Sequence, residues 1–110
     1  MDRVEVTFRN MKTSEWLEQD IRERARKLEA LCPEIIACRV LVGIPHKHHE
    51  QGNRFEVHID LTVPGEEIAV SHPPLAADKD AKLAVRDAFA AAKRQVHDYS
   101  TRKRLAVKAH

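Results

Sequence analysis

Aromatic side chains are scarce in this chain: one Trp, one Tyr and three Phe among 110 residues. They are too few to form a platform on which successive single-stranded bases could stack, which leaves phosphate and shape recognition open to a nucleic-acid partner. Glycine is thinner still, at three residues. The sole Pro-Gly step, Pro64-Gly65, reads as a tight turn rather than a phosphate-cradling loop. No Gly-x-Ser-x-Gly elbow is present to expose a nucleophile. The two cysteines, Cys32 and Cys38, match neither a zinc knuckle nor a redox pair in spacing and read as small buried hydrophobes rather than a disulfide. No apolar run reaches membrane-spanning length and the first residues lack a signal-peptide pattern, so a cytoplasmic protein with no membrane partner is expected.

What is present is charge, unevenly placed. Of the residues 33% are charged and 43% hydrophobic, a globular composition, and the length suffices for one modest core. The net charge of +2 conceals a split. Residues 79–110 carry nine Lys or Arg against three Asp or Glu, and residues 1–78 carry ten against fourteen. A basic last third on an acidic body points to a polyanionic partner, bound with steep salt dependence.

That last third reads as one helix over residues 78–104. At about 100° per residue, Ala81, Val85, Ala88, Phe89, Ala92, Val96 and Tyr99 share roughly a third of the circumference. This is a core-facing stripe of mostly small residues. Beside it Lys82, Arg86, Lys93, His97, Ser100 and Arg104 fall within roughly 60°, with Arg94 a little outside. A solvated face is the ordinary explanation of such a row; the charge split favours a binding face.

The rest of the chain supplies a sheet and one more helix. Residues 3–9 alternate, with Val4, Val6 and Phe8 on one side, and make a half-buried strand. Asn10 leaves it, and Thr13 or Ser14 can cap an amphipathic helix over 14–31 through Leu17, Ile21, Ala25, Leu28 and Leu31. Trp16, off that stripe, is expected to cover an edge of the core. Cys32-Pro33 ends the helix. A second strand over 35–44 places Ile36, Cys38, Val40, Val42 and Ile44 on one face. A third over 55–63 turns Phe55, Val57, Ile59, Leu61 and Val63 inward, and a fourth over 67–72 stops at His72-Pro73-Pro74. Asp78 is the expected N-cap of the last helix. The order β-α-β-β-β-α, with a crossover and then two hairpins, gives an α+β fold: a four-stranded mixed sheet with two helices on one face and the other face open to solvent. Residues 1–104 are expected to form one domain. From residue 102 no stop signal or packing pattern appears, so 105–110 read as a frayed tail leading toward a further domain.

Taken in order, these pieces resemble the ribosome hibernation promoting factor and ribosome-associated inhibitor family, formerly grouped with sigma-54 modulation proteins. The matching segments are Phe8-Arg9-Asn10-Met11 into Thr13-Ser14-Glu15-Trp16-Leu17, Arg24-Ala25-Arg26-Lys27-Leu28-Glu29, residues 55–63 with Pro64-Gly65, and Ala84-Val85-Arg86-Asp87 running to Lys93-Arg94-Gln95-Val96. The resemblance implies a double-stranded-RNA-binding-like fold that seats on ribosomal RNA in the decoding channel of the small ribosomal subunit and blocks messenger and transfer RNA. The RNA-facing basic positions it implies are Arg24 and Lys27, with Arg22 and Arg26 as weaker candidates, then Arg94 directly and Lys93, Arg86 and Lys82 on or beside the same surface. Members commonly carry a dense lysine run where this chain has His97-Asp98-Tyr99-Ser100. Basic charge resumes here at Arg102, Lys103 and Arg104, and His97 completes the candidate set.

Histidines offer a competing reading. His46, His48 and His49 crowd a loop over residues 46–50, and neutral imidazole is a good ligand for zinc, nickel or copper. A metal-responsive or oligomerising stress module would use that loop. Adjacent histidines on a loop seldom share a metal at good geometry, so a polar hairpin loop is the preferred reading and no cofactor is expected. Glu56, His58 and Asp60 line the open sheet face, where outward polar residues are expected without any chemistry. The leading reading is therefore a non-enzymatic ribosome-binding inhibitor without a small-molecule substrate. A general structured-RNA binder is the alternative from the same physics.

Overall fold

Alternation in the strand segments becomes a sheet with one dry face. The computed structural model describes residues 3–45, 54–74 and 80–108. They form β1 (Val4–Arg9), α1 (Glu15–Leu31), β2 (Ala37–Gly43), β3 (Glu56–Val63), β4 (Glu66–His72) and α2 (Ala81–Lys108). The sheet order is β1-β2-β3-β4, with β1 and β2 parallel and the other two pairings antiparallel. Val40, Val42, Val57, Ile59, Leu61, Ile68 and Val70 are buried on the dry face. Both helices lie against it, and one core cluster joins these residues to Leu17, Ile21, Ala25 and Leu28 of α1 and to the small-residue stripe of α2. Ala84 belongs to that stripe as well, fully buried, so the stripe is wider than the periodicity indicates.

The far face is mostly polar, and several of its charges are paired. Arg39 pairs with Glu67 at 3.1 Å and Arg9 with Glu56 at 3.3 Å, while His58 sits between Glu56 (2.7 Å) and the Ser71 hydroxyl (3.0 Å). Two glycines are dictated by geometry. Gly65 takes φ +88° in the β3–β4 turn, a region unfavourable to side chains. A Cβ at Gly43 would lie 2.7 Å from the Arg9 carbonyl oxygen of the neighbouring strand.

Helix ends follow local chemistry. The Ser14 hydroxyl accepts the Leu17 N–H at 3.1 Å, which makes Ser14 rather than Thr13 the cap of α1. At α2 the Asp80 carboxylate accepts the Leu83 N–H at 3.0 Å; Asp78 lies outside the described residues. α2 runs on to Lys108, past residue 104, where the helix is expected to end. Near that end it is tied to the body: the Tyr99 hydroxyl donates to the Pro64 carbonyl at 3.1 Å, and Arg102 pairs with Glu66.

Three apolar positions, Ile36, Leu31 and Trp16, differ from expectation. Ile36 is 44% exposed while Ile35 before it is buried; the chain turns just ahead of the strand, with the Ile35 N–H bonded to the Cys32 carbonyl at 3.1 Å. The alternation of β2 starts only at Ala37. Leu31 is 57% exposed, being the last residue of α1, past the end of the stripe. Trp16 is 60% exposed; about 100° round the helix from Leu17, it lies beyond the line where α1 meets the sheet.

Cys32 and Cys38 are free thiols, both buried. Burial pushes the Cys38 thiol up to about 11 from 9.0, with Asp60 adding to the shift and Arg39 opposing it. The folded thiol therefore keeps a proton that the unfolded chain has lost between about pH 9 and 11. Its contribution to stability is full below pH 9 and declines as pH rises through that window. Urea unfolding at pH 8 and pH 10 should show a smaller loss of stability between the two for Cys38→Ala than for the unsubstituted chain.

Candidate nucleic-acid interface

Strand direction determines where the basic side chains meet. β4 runs antiparallel to β3, β3 antiparallel to β2, and β2 parallel to β1, so β1 and β4 point the same way. Each is followed by a helix that returns across the dry face, and α1 and α2 consequently lie side by side in the same direction. Near their starts, the Lys82 ammonium sits 5.0 Å from the centre of the Trp16 ring. Further along, Arg24, Lys27, Leu28 and Leu31 of α1 and Arg86, Phe89, Ala90 and Lys93 of α2 line one groove.

The groove has an apolar floor and basic walls. Leu28 and Phe89 are buried at its base, while the four cations project around it. Arg24 is held by Asp20 one turn back at 2.9 Å, and Arg86 by the adjacent Asp87 at 3.1 Å. No ion pair engages Lys27 or Lys93 among the described residues. A cleft lined by one sign of charge over a low-dielectric floor focuses its field and attracts anions, phosphates foremost.

The remaining candidates are distributed differently. Arg94, His97 and Arg104 are exposed on α2 and do not line the groove. His97 and Arg104 continue the line of Lys93, at about 40° and 20° from it, whereas Arg94 stands about 100° away. Arg102 and Lys103 are tied to the body, Arg102 by Glu66 and Lys103 by Glu34, so much of their charge is already compensated. Arg26 pairs with Glu23 at 3.5 Å on an open flank.

Arg22 is not part of the groove. Two residues before Arg24 on a helix means about 200° away, and Arg22 lies with Glu15, Glu18 and Gln19 on another flank. It bonds Glu18 at 3.0 Å and donates to the Val4 carbonyl at 2.9 Å. Val4 is on an edge strand, and a cation over an edge carbonyl both anchors the helix and blunts the edge. Arg22→Ala is expected to lower stability by about 1–2 kcal/mol in denaturant titration and to leave affinity at the groove unchanged.

Sequence periodicity on its own overlooked Trp16, Asp20 and Leu31 as parts of this surface. The available signal was the angle: Trp16 lies about 20° from Lys27 on the helix. Among the described residues no group of three or more His, Cys, Asp or Glu converges as a metal set; His46, His48 and His49 lie outside them. No helix among the described residues is long and apolar enough to cross a membrane.

Comparison with known proteins places this arrangement. No curated protein matches the chain. The N-terminal domain of Protein Y from Thermus thermophilus has a similar fold, with TM-score 0.69 and 15% identity over 86% of this chain and 94% of that one. A ribosomal subunit interface protein from Coxiella burnetii gives TM-score 0.73, also at 15% identity, over 89% of this chain and 97% of the other. At such identities the likeness concerns the fold. The sequence match is more direct: residues 4–104 fit the family described as Sigma 54 modulation protein / S30EA ribosomal protein. The chain, matched over nearly all its length, belongs to that family.

Proposed function

We propose that this protein is a non-enzymatic, ribosome-associated translation inhibitor of the cytoplasm that lies on small-subunit ribosomal RNA in the decoding channel and excludes messenger and transfer RNA. The observation that carries this reading is the convergence of Arg24, Lys27, Arg86 and Lys93 on one groove between parallel helices. Family membership supports it, as does the resemblance to a protein described as lying at the ribosomal subunit interface. The mechanism is occupancy. A rigid basic wedge displaces counterions from phosphates and fills space that other RNA ligands need. No bond is made or broken, so the amount of protein sets the extent of inhibition.

Co-sedimentation with isolated small subunits across a salt series tests the proposal, with an equal mass of unrelated duplex RNA as competitor. Pelleting should resist the competitor and fall steeply with salt. Equal partition between subunit and duplex would reduce the protein to a general structured-RNA binder.

A further inference from the structure

We propose that the Trp16 indole is the stacking site for one unpaired nucleobase of the RNA whose phosphates follow the groove, an inference that rests on the RNA-binding reading above. Trp16 is the only Trp in the chain, and it is 60% exposed on the first turn of α1. The core does not need it there, since Leu17 next to it fills the stripe. Its ring is not loose. Lys82 holds an ammonium 5.0 Å from the ring centre, a cation–π contact that orients the indole and lowers the entropy lost when a ligand stacks on it. The ring also lies in line with the groove: Trp16 and Lys27 are about 20° apart on the helix and about 16 Å apart along it. An RNA segment with its phosphates against Lys27 and Lys93 can thus present a base at the far end of the same strip.

The scarcity of aromatics is consistent with this. A multi-base platform needs several rings, whereas one ring takes one base, and every base offers a π-face. Stacking would add an anchor that phosphate contacts lack, because it requires the base to be unpaired and turned out. The site would therefore discriminate bulged or looped RNA from continuous duplex.

Fluorescence of the single Trp reads the site directly. The probes are a short single-stranded RNA, the same sequence fully paired, and inorganic polyphosphate. The single strand is expected to quench the indole, and polyphosphate to bind without comparable quenching. Trp16→Ala should bind the single strand about tenfold more weakly with an unchanged salt slope, since no phosphate contact is lost. Trp16→Phe should recover most of the difference, and polyphosphate affinity should not move. The side chain is exposed, so both variants should melt with the unsubstituted protein. Unchanged affinity of Trp16→Ala for the single strand, or equal quenching by polyphosphate, would overturn the stacking site. Failure of the unsubstituted protein to bind RNA or small subunits would remove the RNA-binding reading and this inference with it. Loss of binding on charge reversal at Lys27 and Lys93, with none on Trp16→Ala, would overturn the stacking alone.

Discussion

Reversing charge at Lys27 and Lys93 together, as Lys27→Glu with Lys93→Glu, is expected to weaken small-subunit binding on the order of a hundredfold near physiological salt. Each residue projects from a different helix into the same groove, and neither has an ion-pair partner among the described residues to release. Charged hydrogen bonds of this kind are each worth about 1.5 kcal/mol or more, so losing two contacts reaches that size before any new repulsion is counted. The slope of log affinity against log salt should become shallower by roughly two. The control is Arg102→Glu with Lys103→Glu, an equal charge change on α2 at positions engaged with Glu66 and Glu34. If both doubles lose affinity equally, net charge rather than the groove governs binding. If the groove double still pellets like the unsubstituted protein, the contact surface lies elsewhere.

Ile21→Ala should cost about 3 kcal/mol of stability, a fall of roughly 10–20 °C in melting temperature for a domain of this size. Ile21 is wholly buried where α1 meets the sheet, and truncation there removes apolar contact and leaves a cavity. Leu31→Ala, on the same helix, removes a side chain that is mostly in water and should stay within about 0.5 kcal/mol. Thermal and denaturant unfolding of the two variants side by side would check both halves. A Leu31 variant as damaging as the Ile21 variant would mean that the end of α1 is packed rather than open.

Much of the architecture could be read from period and punctuation. Alternation in residues 55–63 assigned each inward side chain of β3, and Phe55 just before it, because a one-sided sheet leaves no other place for five apolar residues spaced by two. Pro64-Gly65 assigned a turn whose φ of +88° needs glycine. Reading failed at element ends. Ile36 and Leu31 fit their periods and are nonetheless exposed, since period says which way a residue faces and not whether anything lies opposite. Period gave no sign that Arg102 and Lys103 are tied down, because their anchors, Glu66 and Glu34, are remote in sequence.

The sequence by itself determined the basic row of α2, the small-residue stripe that lets α2 lie close to the sheet, and the element order, all consequences of local geometry and hydrophobic period. Only the tertiary structure decided that Arg24 and Lys27 of α1 face that row. That follows from strand direction: β1 and β4 run in the same sense, so the helices after them lie parallel, and Lys27 comes to share a groove with Lys93. The same packing placed Arg22 over the β1 edge and set Trp16 against Lys82. These contacts join residues far apart in the chain, and no local propensity specifies them.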